Sequence, residues 1–264
     1  MDTQPQQAKG YVDSAYLQTT AELLQQFKLR SYAWMDIQPG QTVLDVGCGP
    51  GTDTLPLGRL VGPAGQAIGV DHDQEMIAEA DRRAFEAGVS AWVSHRQASV
   101  SELPFAANSF DASRSERVFQ HLQEPQQALA EMLRVTKPGG RVVVWDADWG
   151  TLSIDTGDAM IERTLVRIVA ENNVHNGFSG RQLYRLFKQQ GLEVVNVEAN
   201  TLFFTNYPLM REVVGMEYVE GEALATGALS HAELLHWHDS LEQAQANNWF
   251  FASVTGMLIV GKKI

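Results

Sequence analysis

The sequence contains a single cysteine, Cys48, in 264 residues. No disulfide can form within the chain, which excludes a cystine-stapled secreted scaffold and fits a reducing compartment. No apolar run approaches the roughly eighteen residues of a membrane span, and the start, MDTQPQQAKG, carries no hydrophobic signal core. A cytoplasmic location is expected. Basic residues are scarce: 20 Lys and Arg stand against 32 Asp and Glu, a formal net charge of −12. Phosphate backbones and anionic lipid surfaces would be repelled, so neither a nucleic-acid nor a membrane partner is expected. There is no internal repeat, and the only biased tract is the Gln-rich N-terminus. The hydrophobic content of 44% is that of an ordinary globular protein, and the length suits one core with an elaboration.

Strand and helix signals alternate through the middle of the chain. Leu17, Leu23, Leu24, Phe27 and Tyr32 have roughly helical spacing before Pro39 and Gly40 break the chain. A strand follows over Thr42 to Val46, then AIGVD ending at Asp71, a helix capped by Asp73, and strands near Trp92 to Arg96 and Phe110 to Arg114. A helix through Leu129 and Met132 leads by the turn KPGG to the strand RVVVWDA. Short connections between alternating strands and helices predict a parallel sheet covered on both faces. After Trp149 the pattern becomes more helical. Met160, Ile161, Leu165 and Ile168 mark an amphipathic helix, Ser179 and Gln182 read as a capping box with Gly191 as the stop, and a strand runs from Leu192 to about Phe204. The run FFASVTGMLIVGKKI reads as a last strand. Between these two strands a hairpin would suffice, yet the chain inserts two further helix signals, Pro208 at a first turn and a capping box from Ser230 to Glu233. Such an insertion is suited to covering a ligand.

The densest chemical signal is VLDVGCGPGTD, Val43 to Asp53. A glycine-rich turn between strand and helix lets a ligand approach the backbone, with the helix N-terminus adding unpaired N–H groups. A diphosphate would find Asp45 a repulsive neighbour, which disfavours a nicotinamide oxidoreductase; a zwitterion bearing an ammonium and a sulfonium suits this charge better. Asp71, ending the second strand, can accept both hydroxyls of a ribose, and the loop SVSELPF lines the same crevice.

The segments VLDVGCGPG, GVD, ELPFAANSFD, SERVFQHL and LRVTKPGGRVVV, in this order and spacing over residues 41 to about 147, resemble the class I S-adenosylmethionine-dependent methyltransferases. The likeness is to the small-molecule branch called methyltransferase type 11 or ubiquinone/menaquinone-methyltransferase-like. GRQLYRLFKQQGLEVVNVE resembles that family's late helix and strand. The resemblance implies a Rossmann-like α/β fold, a seven-stranded mostly parallel sheet with its last strand antiparallel, and S-adenosyl-L-methionine as cofactor. With the insertion it implies N-terminal helices joining a cap (1–40), a cofactor-binding core (41–204), a helical lid (205–249) and a final core strand (250–264). Residue by residue, it puts Asp45, Gly47 and Gly49 around the methionine moiety and Asp71 on the ribose. His72 and Met76 would lie near the adenosine, Ser99 and Val100 near the adenine, and Glu116 near the amino-acid end. Many relatives carry Asp at the position of Ser99, whose hydroxyl accepts the adenine amino group less strongly.

Methyl transfer from a sulfonium needs alignment and exclusion of water, with a general base only for a protonated nucleophile. His121 in VFQHL and His175 in NNVHNG are the candidate bases, each weighed against a purely structural histidine. Trp145, Asp146, Asp148 and Trp149 end the fifth strand, where a substrate could stack or hydrogen-bond. His231, His236 and His238 share no helix face well enough for a metal, and no metal site is expected. Cys48 reads as a packing residue under the turn. The function expected is methyl transfer to a small, partly apolar organic molecule. The alternative is a cofactor-binding protein or cofactor-assisted cyclase of the same fold.

Overall fold

A computed structural model describes residues 24–264. Seven strands form one sheet in the order β3-β2-β1-β4-β5-β7-β6. They are β1 (Thr42–Val46), β2 (Gln66–Asp71), β3 (Val93–Gln97), β4 (Phe110–Glu116), β5 (Thr136–Ile154), β6 (Glu193–Phe204) and β7 (Ala252–Lys262). The first five pair in parallel, while β7 inserts between β5 and β6 and is antiparallel to both. This is the expected seven-stranded α/β sheet with its last strand reversed. The order also turns around between β1 and β4, a topological switch point, where a crevice opens at the carboxyl ends of the strands.

Helices α1 (Gln25–Met35), α2 (Thr54–Val61) and α3 (Gln74–Glu86) cover one face, and α4 (Pro125–Val135) and α6 (Ser179–Gln189) cover the other. Adjacent strand residues divide between the faces with the period of two that a pleated strand imposes. Val43 and Val143 pack with Leu57, Val61 and Met35, whereas Leu44, Val142 and Val144 pack with Leu129, Met132 and Phe187. A third apolar core lies beyond the sheet. There α5 (Ala159–Ile168) meets α7 (Tyr207–Val214), α8 (Met216–Ala225) and α9 (His231–Ala246), with Trp237, Val219 and Met210 at its centre. The far ends of β5, β6 and β7 supply Leu152, Ile154, Phe204, Ala252 and Val254 to it, so the helical layer is built on the strands themselves.

Most local signals act as read. Asp73 Oδ1 accepts the N–H groups of Glu75 and Met76 and starts α3; Ser230 and Glu233 make a reciprocal capping box on α9. The Ser179 signal does not. Ser179 is the first helical residue of α6, buried, and its hydroxyl donates to Asp146 Oδ2 at 3.3 Å instead of capping the helix, because that wholly buried carboxylate needs donors. The insertion holds three helices, not two: α7 and α8 are separated only by Gly215 in the left-handed conformation, a break too short to read from spacing. The helix signals at Leu17 and Leu23 lie outside the described residues. No helix among the described residues is long and apolar enough to cross a membrane.

Candidate active site

The glycine loop after β1 turns through three left-handed residues, Gly47, Gly49 and Gly51, at φ of 73°, 51° and 76°. A Cβ on Gly47 would fall 2.1 Å from Val118 Cγ2, so the loop packs against the segment leaving β4 with no room for a side chain. The N–H groups of Gly47 and Cys48 donate to the Val70 carbonyl at 2.7 and 2.9 Å, and Gly49 N–H donates to Asp71 Oδ2 at 2.9 Å. The loop and the end of β2 are thereby one unit. Asp71 Oδ1 also accepts Asp73 N–H at 3.0 Å and lies 3.1 Å from His72 Nδ1. Burial alone would raise the Asp71 carboxyl, but His72 and the two N–H groups hold it below its ordinary value, so it meets the crevice as an anion.

Around the other end of the loop lies a buried ionic cluster. Arg114, fully buried in β4, reaches Asp45 Oδ1 at 3.3 Å, Asp53 Oδ2 at 3.1 Å and Glu116 Oε2 at 2.7 Å. From α1, Lys28 Nζ bridges Asp53 at 2.7 Å and Glu116 at 2.5 Å, and the Tyr32 hydroxyl donates to Asp53. Thr54 donates to Asp45 at 2.8 Å. With Arg117 Nε 3.7 Å from Glu116 at the edge of the cluster, three carboxylates face three cations, and their formal charges balance in a dry site. Burial pushes the Asp45 carboxyl up to about 6 against the pull of Arg114, while Asp53, which burial would also raise, is held well below its ordinary value by Arg114 and Lys28. The carboxylate ahead of the glycines is therefore not bare: its charge is shared with Arg114 beneath the loop. Asp45 alone does not decide what the loop accepts, because its charge is balanced within the cluster.

The remaining expected residues spread along the crevice. His72 is exposed, Met76 is buried in the first turn of α3, Ser99 is exposed with its Oγ accepting Ser101 N–H, and Val100 is half-buried against the sheet. Glu116 ends β4 between Lys28 and Arg114, with Arg117 Nε 3.7 Å away. His121 lies in a single 3₁₀ turn, Phe119–His121, just past β4. Burial, then the charges of Arg117, His175 and His72, push its ring down to about 4, so it is neutral at physiological pH and able to accept a proton. His175 is exposed and lines a separate, open groove with Gln123, Gln126 and Gln182. It shares His121's electrostatic neighbourhood but not the apolar pocket beside it. Cys48 is buried, with Sγ 3.6 Å from the Gly49 carbonyl. The three late histidines go separate ways: His238 joins Tyr207, Arg211 and Glu220, and His236 lies 3.2 Å from Asp158.

That apolar pocket opens between the ends of β4 and β5 and the helical layer, with Arg117, Gln120, Trp145 and Trp149 on its wall. Behind it Asp146 is wholly buried, accepting from the N–H groups of Gln120 and Ala147 and from the Ser179 hydroxyl. Burial pushes its carboxyl up to about 7, further than the three donors pull it down. Between about pH 4 and pH 7 the folded protein therefore keeps a proton that the unfolded chain gives up, and stability falls as pH rises through this window, by on the order of 3 kcal/mol from this group. Urea unfolding of the wild type and Asp146→Asn at both ends of the window is expected to show the decline in the wild type and a smaller one in the variant. An equal decline in both would place the titrating group elsewhere.

Sequence reasoning missed Lys28, Tyr32, Arg114 and Gln120 as parts of the site. Arg114 had a legible signal, a full charge midway along a strand whose neighbours Ala112, Ser113 and Ser115 are small and buried. Lys28 had none, because its partners lie in distant segments.

A model described as "Methyltransferase domain" matches residues 44–144. The chain is 38% identical over 228 residues to an uncharacterized 37.1 kDa protein in transposon TN4556 of Streptomyces fradiae, covering 86% of this chain and 64% of that protein. It is 34% identical over 112 residues to a demethylmenaquinone methyltransferase of Desulfitobacterium hafniense, 42% of this chain and 44% of the relative. The chain thus spans less than two thirds of the length of these curated relatives. Among solved structures, a putative methyltransferase from Bacillus halodurans superposes with a TM-score of 0.63 at 15% identity, over 89% of this chain and 98% of the other. The [4+2]-cyclase SpnF does so with a TM-score of 0.57 at 20% identity, over 90% and 80%. Residues 44–144 thus match a methyltransferase domain and lie within a β3-β2-β1-β4-β5-β7-β6 sheet, as the resemblance to the class I S-adenosylmethionine-dependent methyltransferases implies.

Proposed function

We propose that this chain transfers a methyl group from S-adenosyl-L-methionine to a small, partly apolar organic molecule. The observation that carries the reading is the ionised, loop-anchored Asp71 at the end of β2, with the carboxylates of Asp45 and Glu116 at the other end of the same loop. Such a crevice fits a ligand with a ribose diol at one end and an ammonium for a carboxylate to face at the other. When bound, the cofactor supplies a methyl group activated on a sulfonium.

The chain's own residues have three tasks. Asp71 accepts from the ribose hydroxyls, with His72 and Met76 beside the adenosine and Ser99 and Val100 beside the adenine. The left-handed backbone at Gly47 and Gly49 seats the methionine moiety, Glu116 faces its ammonium, and Asp45 tunes the charge beneath. His121, neutral and beside Gln120 of the apolar pocket, takes a proton from an acceptor that arrives protonated, while His175 faces the separate groove. The helical layer over 205–249, with the N-terminal segment to about residue 40, closes the acceptor pocket as a lid and excludes water. The small-molecule acceptor agrees with the acidic balance of the chain and with relatives that act on quinones. The likeness to a cyclase sustains one alternative, a cofactor-assisted cyclase or binding protein without methyl transfer.

Calorimetry with S-adenosylhomocysteine and with NAD tests the cofactor. Micromolar binding of S-adenosylhomocysteine and none of NAD is expected; the reverse would sink the proposal.

A further inference from the structure

With the ribose on Asp71 and the amino-acid end at the glycine loop, the sheet order fixes where the cofactor's base must go. Asp71 ends β2, the glycine loop follows β1, and β3 lies on the far side of β2. A ligand laid along the carboxyl ends of these strands passes from the glycine loop over Asp71 to the segment that leaves β3. That segment begins beside the ribose seat, because Ala98 N–H donates to the Asp71 carbonyl at 2.8 Å. Residues 98–109 form neither helix nor strand, so their position depends on bonds made from outside.

Helix α4 supplies those bonds, to backbone atoms of the loop. Gln127, Glu131 and Arg134 recur at i, i+4 and i+7 and share one face of the helix. Gln127 Nε2 donates to the Ser101 carbonyl at 3.0 Å. Glu131 Oε2 accepts the Leu103 N–H at 2.8 Å, and Arg134 donates to the Leu103 carbonyl at 2.9 Å and the Phe105 carbonyl at 2.7 Å. Glu131 and Arg134 also pair bidentately, Nε to Oε1 at 2.7 Å and Nη2 to Oε2 at 2.8 Å. One ion pair therefore grips both backbone polar groups of Leu103. Apolar contacts complete the anchor: the Leu103 side chain is buried, Phe105 meets Phe110 edge-on at 4.9 Å, and the Arg96 guanidinium lies over the Phe105 ring at 5.4 Å. The near half of the loop is closed by its own bonds, with Ser99 Oγ accepting Ser101 N–H and the Ser99 carbonyl accepting Glu102 N–H, each at 3.2 Å. It is a small turn at the crevice on a fixed stem.

We infer that Glu131 and Arg134 are positioning residues for the cofactor's base: without touching the ligand, they clamp Leu103 and so hold the turn at Ser99 and Val100 where the adenine lies. The inference rests on the methyltransferase reading above and on the ribose seat at Asp71. Folding stability does not account for the pair. The Arg134 side chain is 37% exposed and that of Glu131 18%, and an ion pair in such contact with water adds little net stability. Its bonds to the loop fix a place for the backbone, and that place matters to whatever lies against the turn.

The test uses the full chain and two ligands, S-adenosylhomocysteine and S-ribosylhomocysteine, the same molecule with a hydroxyl in place of the base. Calorimetry reads the first, and the ligand-dependent rise in melting temperature, which registers millimolar binding, reads the second. Arg134→Met is expected to weaken S-adenosylhomocysteine by about tenfold or more and S-ribosylhomocysteine by less than about twofold, with the unliganded melting temperature within a few degrees of the wild type. Arg134→Lys, whose single ammonium cannot reproduce the fork, is expected to recover part of the loss. Glu131→Gln keeps an acceptor for the Leu103 N–H but loses the charge pairing, and is expected to fall between the wild type and Arg134→Met. Equal losses on the two ligands, or S-adenosylhomocysteine affinity untouched by Arg134→Met, would overturn the positioning role alone. No response of the wild type to millimolar S-ribosylhomocysteine would remove the ribose seat from which the base was placed, and the inference with it. Failure of the wild type to bind S-adenosylhomocysteine would overturn the cofactor reading itself, so the failures are told apart.

Discussion

Asp71→Ala is expected to weaken S-adenosylhomocysteine binding by at least about an order of magnitude, because a partly buried charged acceptor for two hydroxyls is lost. The structure adds a second reason. Asp71 Oδ2 accepts the N–H of Gly49, so the substitution also removes the strut that holds the glycine loop against β2. Asp71→Asn keeps an acceptor oxygen but not the charge and is expected to fall between the two. Calorimetric titration of the three proteins checks the order; an unchanged affinity in Asp71→Ala would move the ribose to another part of the crevice. His72 contributes through Asp71, and its side chain is mostly exposed, so His72→Ala is expected to matter far less.

Arg114→Met is expected to be the most destabilising single change in the site. The guanidinium is buried and contacts Asp45, Asp53 and Glu116; without it three buried carboxylates are left with Lys28 and the more distant Arg117, and Asp45 loses its ion-pair partner. Breaking a buried ion pair from one side costs about 3–5 kcal/mol, since the abandoned charge stays in a dry environment. Asp45, already pushed up to about 6, would take a proton at still higher pH, and the variant is therefore expected to regain stability as pH is lowered toward 6. Combining Arg114→Met with Asp45→Asn removes one of the stranded charges and is expected to recover part of the loss, a coupling that a double-mutant cycle measures. A melting temperature for Arg114→Met equal to that of the wild type would mean that the cluster carries no net stability.

The core sheet was legible because its signals are local. The strand TVLDV, the cap at Asp73 and the Gly-rich turn each depend on residues within a few positions, and the boundaries of β1 agree with the structure residue for residue. The reversed last strand was legible too, from a strongly β-favouring end and from the resemblance. What stayed hidden depends on contacts across the chain. Ser179 looks like a cap until Asp146, 33 residues away, claims its hydroxyl. Asp45 looks like a bare carboxylate until β4 brings Arg114 under it. Lys28 lies in a helix of mixed polarity, and only the packing of α1 on the sheet brings its ammonium between Asp53 and Glu116.

The central claim is methyl transfer, and turnover tests it most directly. The protein is incubated with S-adenosylmethionine carrying a labelled methyl group and the small-molecule fraction of a cell extract, and products are read by mass spectrometry. The expected result is an extract component that gains one labelled methyl in place of a hydrogen, with S-adenosylhomocysteine formed in equal amount. Tight binding of the cofactor with no labelled product and no S-adenosylhomocysteine would contradict it, leaving a cofactor-binding protein or a cyclase on the same fold.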